Sequence, residues 1–328
     1  MTPPAPDASG AGLPVQATVV ICTWNRASFL SETLEILCAI RVPPNLEWEC
    51  LVVNNNCTDG TDDVLASFVG RLPLRRLFEP DPGLSRARNC AAREARGDLV
   101  LWMDDDIHVD REWLAAYVDA AGRWPEATYF GGNIEPHYVR EPHRLVTANL
   151  ETFQGLLGIR DFGPAERPFP EGEGPYGGNM AVRRSVFEKW TFDERLGHRH
   201  AERITGEETA FFGGLRQQGH VGVWVPAARV SHVITAGDLT AAAIHRHFVS
   251  YGRLLVRRAD LQRTWILSYP RGLCLGYCLL TRARIRLLRL AGRTDWVPLL
   301  ARCATWEGML DEAANRPRPR KLGEDLDE

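Results

Sequence analysis

The sequence of 328 residues predicts an α/β fold in which helices flank a mostly parallel sheet. Between residues 17 and 132, short apolar runs alternate with segments that have helical spacing. Strands that alternate with helices indicate βαβ units, in which helices cover both faces of a parallel sheet. Polar clusters follow three of the apolar runs directly, and such sheets bind ligands beyond the carboxyl ends of their strands. The same pattern therefore predicts both the fold class and the place of a site.

The predicted elements follow one another in regular order. Strands are predicted at residues 17–22, 48–53, 72–78, 98–103 and 127–131. Helices are predicted between them at residues 28–40, 61–69, 84–96 and 111–123. Leu30, Leu34 and Leu37 recur at helical spacing in the first helix, and Gly97 ends the third. This order predicts a Rossmann-like sheet.

A second organised stretch extends from residue 177 to residue 233. It contains the strand-like segment GGNMAVRR, a helix and a further strand. Residues 133–176 are rich in Gly and Pro, and we expect them to form long loops over the site. We therefore predict one α/β domain at residues 15–238 and a basic helical extension at residues 239–314.

Both ends of the chain are predicted to be disordered, because residues 1–14 are rich in Pro, Ala and Gly and residues 315–328 are polar. The N-terminal segment lacks the basic and then apolar regions of a signal peptide. Scattered cysteines agree with a reducing compartment, so a cytoplasmic location is expected. The one close pair, Cys274 and Cys278, has no second pair or His cluster nearby and lacks the spacing of a zinc site.

The extension is basic although the net charge of the whole chain is only −3. Residues 253–293 contain ten Arg, no Lys and one acidic residue, Asp260. Such a block is typical of a protein at an anionic membrane surface, of one with a phosphate-rich or acidic partner, or of a solvated helix face. The apolar stretch 265–280 is shorter than the about 20 residues of a membrane span. It is predicted either to lie peripherally at the inner face of a membrane or to pack on the main domain.

Three polar clusters are predicted to meet at one edge of the sheet. Thr23, Asn25 and Arg26 follow the first strand, residues 54–56 are three Asn after the second, and residues 104–106 are three Asp after the fourth. Adjacent carboxylates repel one another, so three of them at a strand end call for a cation nearby. Hard divalent cations take oxygen ligands and bridge carboxylates to phosphates. The acidic cluster predicts a Mg²⁺ or Mn²⁺ site, with an ordinary acidic loop as the alternative.

Six motifs together resemble those of family 2 glycosyltransferases, which have the GT-A fold. The motifs are VVICTWNR, LVVNNNCTDGT, GLSRARN, LVLWMDDD, GGNMAVRR and GEET. They occur in the family's order over about residues 17–233, and their joint order and spacing carry the resemblance. The resemblance implies that a sugar is transferred, with inversion, from a nucleoside-diphosphate sugar to an acceptor hydroxyl. It also implies a divalent metal, Mn²⁺ or Mg²⁺, as cofactor.

The resemblance assigns most of the polar clusters to the nucleotide. The residues implied in nucleotide binding are Thr23, Asn25, Arg26, Asn54, Asn56, Arg86, Arg88, Asp104 and Asp105. Asn54 stands where the family usually has an Asp that contacts the base, and Asn can accept a hydrogen bond there without a charge. The guanidinium groups of GLSRARN would approach the phosphates. A surface salt bridge is the alternative for Arg86.

The resemblance also implies metal ligands and a catalytic base. Asp104 and Asp106 match the D-x-D pattern, and His232 would complete the metal sphere or make a structural hydrogen bond. Glu207 and Glu208 resemble the family's Glu-Asp pair, with Glu in place of Asp at the second position, and an acidic residue of that pair is the general base of inverting members. We expect Glu208 to be the base, with Glu207 as the alternative. A helix N-terminus also favours acidic residues through its dipole.

The substrates are predicted only as classes. Gly178 and Asn179 are expected to contact the sugar or the acceptor, because Gly permits close approach of the backbone. A UDP-sugar is favoured over a GDP- or dTDP-sugar, the acceptor is expected to be a glycan or lipid-linked, and no nucleic acid is expected. A nucleotidyltransferase is disfavoured because CTWNRASF is not a Gly-rich phosphate loop. A non-catalytic nucleotide-sugar-binding or scaffolding module is the alternative, since Asn54 and Glu208 depart from the family pattern.

Overall fold

The computed structural model describes residues 16–142, 144–199, 202–262 and 271–314, and both ends that are predicted to be disordered lie outside these ranges. The strands are β1 (Ala17–Thr23), β2 (Trp48–Asn54), β3 (Leu74–Phe78), β4 (Leu99–Asp104), β5 (Ile107–Val109), β6 (Ala127–Tyr138), β7 (Arg167–Pro168), β8 (Met180–Arg183), β9 (Gly197–Arg199), β10 (Glu202–Ile204) and β11 (Val221–Ile234). The α-helices are α1 (Ala27–Leu37), α2 (Thr61–Ser67), α3 (Leu84–Glu94), α4 (Trp113–Arg123), α5 (Arg144–Thr147), α6 (Leu150–Gln154), α7 (Glu207–Gln217), α8 (Ala241–Gln262), α9 (Arg271–Leu290) and α10 (Val297–Ala314).

One large sheet has the strand order β3-β2-β1-β4-β8-β6-β11-β5, and β7 pairs with β11. The strands β3, β2, β1 and β4 are parallel, whereas β8 runs antiparallel to both of its neighbours. The predicted βαβ alternation is confirmed, because α1, α2 and α3 connect the parallel strands. Strand β6 extends beyond the predicted end at residue 131, and Ile134 in this extension pairs with Arg160. The periodicity of the sequence near residue 131 does not indicate this distant partner.

The central strands are buried on both faces. Along β1, Val19 and Ile21 pack with Leu34 of α1, whereas Val20 lies in a second apolar cluster with Ala91 of α3. Burial of one such aliphatic side chain stabilises the fold by about 1.5–3 kcal/mol. A sheet enclosed in this way holds the ends of its strands in fixed positions.

The register of the sheet brings the predicted polar clusters together. Strand β1 lies between β2 and β4, with Thr23 opposite Asn54 and Cys22 opposite Asp104. The loops after these three strands therefore begin side by side at one edge of the sheet. Because the strands are parallel, this edge is where a ligand site is expected.

The chain divides into two compact units. The first contains the described residues up to His137, Gly158–Arg195 and Glu207–Val233, and thus the large sheet. The second contains Tyr138–Leu157, Leu196–Gly206 and the described residues from Ile234 onwards. The predicted domain boundary after residue 238 stays a prediction.

In the second unit, α8 and α10 pack closely at two glycines. A Cβ on Gly252 would overlap the backbone of Thr305, and one on Gly308 would overlap the backbone of Val249. Glycine is therefore required at both positions for this packing distance. Among the residues that the structure describes, no helix is long and apolar enough to cross a bilayer.

Part of the predicted basic block is neutralised inside the second unit. Four of its Arg pair with carboxylates, as Arg253–Asp311, Arg257–Glu312, Arg282–Glu307 and Arg293–Asp295. Arg284, Arg286 and Arg289 of α9 are exposed. The net positive charge of this region is therefore smaller than the count of ten Arg suggests. Three of the remaining exposed Arg lie on α9.

Candidate active site

The loops that follow β1 and β2 are bonded to each other. Asn25 and Asn56 adopt left-handed φ angles of 52° and 60°, a region in which Asn is enriched. The Oδ1 atom of Asn25 accepts a hydrogen bond from the backbone N–H of Thr58 at 2.7 Å. Asp59 accepts one from the backbone N–H of Ala27 at 3.0 Å. Asn25 and Asn56, both implied in nucleotide binding, thus shape the edge of the site, and any direct contact with a nucleotide stays a prediction.

Asn54 supports its loop from within. It is 2% exposed, and its Nδ2 donates to Asp62 at 2.8 Å while its Oδ1 accepts from the backbone N–H of Cys57 at 2.8 Å. The neighbouring Asn55, to which the sequence assigned no role, bonds three backbone groups of the loop between β3 and α3. The run of three Asn was the only sequence signal for this function of Asn55.

Arg26 and Thr23 hold the acidic loop after β4. Asp105 is buried, its carboxylate accepts a hydrogen bond from Thr23 Oγ1 at 2.6 Å, and it lies 3.0 Å from Arg26. Arg26 also bonds Asp106 at 2.6 Å, and Thr33 donates to the backbone oxygen of Asp105 at 2.8 Å. Arg26 therefore supplies the cation that adjacent carboxylates require.

Asp105 and Asp106 differ in acidity. Burial raises the pKa of Asp106, but the hydrogen bond and charge of His232 and the charge of Arg26 outweigh burial and lower it to about 2. His232 Nε2 lies 3.4 Å from Asp106 Oδ2. Burial raises the pKa of Asp105 to about 7 although Arg26 opposes the shift. Asp106 is therefore a carboxylate at neutral pH and lies beside His232, and a metal-ligand role for either residue stays a prediction.

Arg88 is the centre of a second charged group. Its side chain is 2% exposed, and Nη1 lies 3.2 Å from Glu207 Oε1 and 3.1 Å from Glu208 Oε1. Its Nη2 lies 3.9 Å from Asp104 Oδ1. Arg88 belongs to α3, whereas both Glu residues lie in the first turn of α7. The fold thus joins the predicted base to the acidic triplet through one buried guanidinium.

The two Glu residues are not equivalent. The Glu207 side chain is 4% exposed, and its Oε2 has no hydrogen-bond partner among the described residues. Burial and the charge of Glu208 raise the pKa of Glu207 to about 8. The Glu208 side chain is 20% exposed, and Arg88 outweighs the effect of burial and lowers its pKa. Burial therefore favours the protonated form of Glu207, whereas Arg88 favours the ionised form of Glu208.

Two glycines bring the backbone against these charged groups. A Cβ on Gly177 would overlap the guanidinium of Arg88 and the carboxylate of Glu208. A Cβ on Gly178 would lie 3.1 Å from Asp104 Oδ2. The observed close approach is thus to the protein's own side chains, and a contact of Gly178 with a sugar stays a prediction.

The prediction that the Asn179 side chain contacts the sugar or the acceptor is wrong in this structure. Asn179 is fully buried, and its Oδ1 accepts hydrogen bonds from Trp113 Nε1 and Tyr117 Oη, both at 2.8 Å. Its Nδ2 donates to the backbone oxygens of Asn133 at 2.9 Å and Ala228 at 2.8 Å. An Asn side chain has two donors and two acceptor positions, so none is left for a substrate.

Arg86 does not join the charged group around Arg88. It is one third exposed and pairs with Asp81 at 2.9 Å and Glu194 at 3.2 Å. Residues two apart on a helix point to different sides. The surface salt bridge, the alternative reading for Arg86, therefore describes its contacts here.

The donor groups around the triplet suit a hard divalent cation. The Asp104 side chain is 43% exposed, and Arg26 bonds Oδ2 of Asp106. His232 adds an imidazole nitrogen beside Asp106. Carboxylate and imidazole are ligands that Mn²⁺ and Mg²⁺ accept in proteins. The residues present fit the predicted metal in the type of their donor atoms, whereas these atoms are not gathered within 4.8 Å of one another in this structure.

Known proteins resemble this chain in sequence. Residues 18–191 match the family model described as Glycosyl transferase family 2. The chain is 26% identical over 268 residues to the succinoglycan biosynthesis protein ExoM of Rhizobium meliloti (strain 1021), a match that covers 79% of this chain and 81% of that protein. It is 27% identical over 225 residues to a glucosyl-dolichyl phosphate glucuronosyltransferase of Haloferax volcanii, with 66% and 69% covered.

Solved structures share the fold. The crystal structure of Staphylococcus aureus TarS 1–349 has a TM-score of 0.51 at 14% identity and covers 93% of each chain. The mannosyltransferase PcManGT from Pyrobaculum calidifontis, in complex with GDP-Man and Mn²⁺, has a TM-score of 0.52 at 16% identity, with 94% of this chain and 79% of that chain covered. These likenesses confirm the GT-A fold. Because the family model matches more than half of its residues, the chain belongs to glycosyl transferase family 2 and is a glycosyltransferase.

Proposed function

We propose that this glycosyltransferase moves a sugar from a nucleoside-diphosphate sugar to an acceptor hydroxyl, with inversion at the anomeric carbon and with Glu208 as the general base. The observation that carries the proposal is the difference between two neighbouring carboxyl groups. Glu208 is ionised and partly exposed beside Arg88, whereas Glu207 is buried and protonated. A general base must be unprotonated and accessible to the acceptor, and the 20% exposure of the Glu208 side chain against 4% for Glu207 supports Glu208.

In the proposed reaction, the acceptor oxygen bonds the anomeric carbon while the bond from that carbon to the diphosphate breaks. Glu208 takes the proton of the acceptor hydroxyl as the new bond forms. Arg88 keeps Glu208 ionised and fixes one of its oxygens at 3.1 Å. The protonated Glu207 adds no second negative charge beside the acceptor. Gly177 has no Cβ and so leaves room for the Arg88 guanidinium and the Glu208 carboxylate.

Asp104, Asp106 and His232 are the residues that we assign to a divalent cation, Mn²⁺ or Mg²⁺. When bound, such a cation offsets the negative charge on the leaving nucleoside diphosphate. The assignment rests on the types of these side chains and on the contact between Asp106 and His232 at 3.4 Å. PcManGT, which shares the fold, was solved with Mn²⁺.

The strand-end loops with Thr23, Asn25, Arg26 and Asn56 are proposed to receive the nucleotide. The solved TarS complex contains UDP-GlcNAc and the PcManGT complex contains GDP-Man, so relatives of this fold differ in their base. We favour a UDP-sugar and keep GDP- and dTDP-sugars in the test. The acceptor is proposed to be a glycan or lipid-linked hydroxyl, since one relative is named for succinoglycan and another for glucosyl-dolichyl phosphate.

The decisive experiment measures release of nucleoside diphosphate from a panel of UDP-, GDP- and dTDP-sugars with Mn²⁺, Mg²⁺ or EDTA. We expect turnover of one donor class that EDTA abolishes and Asp106→Asn removes. Glu208→Gln should lower kcat by about 10²–10⁴-fold, the usual contribution of a general base. Glu207→Gln is the matched control and should retain turnover, because Gln resembles the protonated carboxyl group.

Two results would contradict the proposal in different ways. If Glu207→Gln lost turnover while Glu208→Gln kept it, Glu207 would be the base. If calorimetry showed donor binding but no acceptor supported turnover, the chain would be a nucleotide-sugar-binding module. The anomeric configuration of the product, read by NMR, tests inversion.

The outward face of α9 is proposed to bind an anionic membrane surface from the cytoplasmic side. Cys274, Cys278 and Ile285 mark the buried face of this helix, and its opposite face is apolar. The most exposed side chains there are Leu279 (67%), Leu280 (76%), Leu287 (68%) and Leu290 (87%). Exposed Arg284, Arg286 and Arg289 flank this face, and α9 contains no acidic residue. An apolar face between cationic side chains is typical of a helix that lies in a membrane interface.

Vesicle sedimentation tests this membrane proposal. The full chain should sediment with phosphatidylglycerol-containing vesicles more than with phosphatidylcholine alone, and Leu280→Glu with Leu287→Glu should abolish the difference. Val69→Glu, which changes a side chain that is 70% exposed in the first unit, is the control. Equal sedimentation of all variants would refute the proposal, and a concentration-dependent dimer lost in the Leu variants would assign the face to self-association instead.

A further inference from the structure

Three helices of the second unit bring three potential metal ligands together and place a histidine beside one of them. Cys278 lies on α9, Cys303 and Glu307 lie one turn apart on α10, and His245 lies on α8. One donor atom from each of Cys278, Cys303 and Glu307 falls within 4.8 Å of the others. The sequence separates these residues by as many as 62 positions, so the spacing of the cysteines alone predicted no zinc site.

The contacts within this group are direct. Cys303 Sγ donates to Glu307 Oε1 at 3.2 Å, and His245 Nε2 lies 2.8 Å from Glu307 Oε2. The thiols of Cys278 and Cys303 approach each other's backbone oxygens at 3.9 and 3.7 Å. Both cysteines are buried, at 5% and 1% exposure, and Glu307 is 20% exposed. The group thus joins sulfur, nitrogen and oxygen donors on rigid helices.

We propose that Cys278, Cys303, Glu307 and His245 bind one structural Zn²⁺ ion. Two thiolates, one imidazole and one carboxylate make a four-ligand set of the kind that zinc accepts in tetrahedral structural sites. Thiolate sulfur disfavours Mg²⁺ and Mn²⁺, which prefer oxygen ligands. The inference concerns a different group of residues from the candidate active site and does not depend on the proposed reaction.

The charges around the group support this assignment. On binding, each thiol loses its proton to solvent, so the ligands bring two thiolates and one carboxylate to a divalent cation. The set then carries one net negative charge, and Arg282 balances it through a hydrogen bond at 2.9 Å and an ion-pair contact at 2.7 Å, both to Glu307 Oε1. Cys303 Sγ lies on the same oxygen, whereas His245 contacts Oε2. Bonding of a ligating carboxylate by an outer residue is usual in metal sites.

The thiols of the group make metal binding sensitive to pH. Both cysteines are free thiols in this structure, so each must lose its proton when a metal binds. A metal ion is what deprotonates such a ligand, and metal affinity should therefore rise with pH.

The test uses Co²⁺ as a spectroscopic probe on the full chain, reduced and stripped with a chelator. We expect one equivalent of Co²⁺ to produce a sulfur-to-metal charge-transfer band that Zn²⁺ abolishes. Cys278→Ser and Cys303→Ser should each lose the band. Cys274→Ser is the matched control, because this buried cysteine lies one turn before Cys278 on α9 and is outside the ligand set.

Two further variants keep both thiols. Glu307→Gln and His245→Ala should retain the band but bind Co²⁺ at least about tenfold more weakly, since even outer residues contribute that much to a metal site. Asp106→Asn should leave the band unchanged, which separates this site from the candidate active site. Absence of the band, or a band that survives Cys303→Ser, would overturn the proposal. A Cys278–Cys303 disulfide without bound metal in the chain as purified would also overturn it.

Discussion

Loss of the positive charge of Arg88 should destabilise the protein in a pH-dependent way. Arg88→Met keeps the apolar stem but leaves Glu207 and Glu208 without their cation, at a site where Arg88 is 2% exposed. Glu207 already holds a proton near neutral pH, because burial and Glu208 raise its pKa to about 8. Glu208, which Arg88 keeps ionised, is therefore the group that must respond.

The size of the effect follows from the pKa of Glu208. In the variant, Glu208 avoids an uncompensated charge by taking up a proton, whereas the unfolded chain ionises this group above the ordinary value of 4.5. Holding that proton costs about 1.36 kcal/mol for each pH unit above 4.5. The free energy of unfolding should thus fall by about 3 kcal/mol at pH 7 and by under about 1 kcal/mol at pH 5. The larger value matches the ~3–5 kcal/mol cost of breaking a buried ion pair.

Urea unfolding, followed by Trp fluorescence between pH 5 and pH 8, measures this difference. Arg86→Met is the matched control, because Arg86 lies on the same helix but pairs with exposed carboxylates. Its loss should stay within about 1 kcal/mol at every pH. An equal loss for Arg88→Met at pH 5 and pH 7 would refute the reasoning, since it would mean that packing and not charge compensation explains the role of Arg88.

Three further predictions concern the same unit. Gly177→Ala should lower kcat by about 100-fold, because the added Cβ would displace the Glu208 carboxylate. Gly60→Ala is the control and should leave kcat and KM unchanged, because a Cβ at this position would have no atom within 4 Å. Asn179→Ala should reduce the free energy of unfolding by about 2–4 kcal/mol, because buried donors and acceptors lose their partners. If the variant instead kept its stability and had a higher KM for the donor, Asn179 would contact the sugar after all. Glu207→Gln should raise the free energy of unfolding relative to the unchanged protein, and the gain should grow from pH 5 to pH 8. The reason is that Glu207 ionises above pH 4.5 in the unfolded chain, whereas burial keeps it protonated in the folded protein until about pH 8. A gain in urea unfolding that does not change with pH would contradict this.

Sequence reasoning performed best where local pattern and chain order carry the information. The apolar runs at residues 17–22, 48–53 and 98–103 are the parallel strands β1, β2 and β4, and the polar residues after them share one edge. The reasoning failed at Asn179, because its signal was its place next to Gly178. Its four partners come from three separate segments of the chain, and no pattern around residue 179 indicates them.

The sequence by itself determined the α/β class, the family and the edge of the sheet that carries the site, because strand periodicity and motif order are local properties. Only the tertiary structure distinguished the two arginines of GLSRARN and the two glutamates of GEET in their burial and protonation. Arg88 is buried among carboxylates while Arg86 faces solvent, and Glu208 is ionised while Glu207 holds a proton. Burial and the distance to opposite charges set these differences, and both depend on segments up to 119 positions apart in the chain.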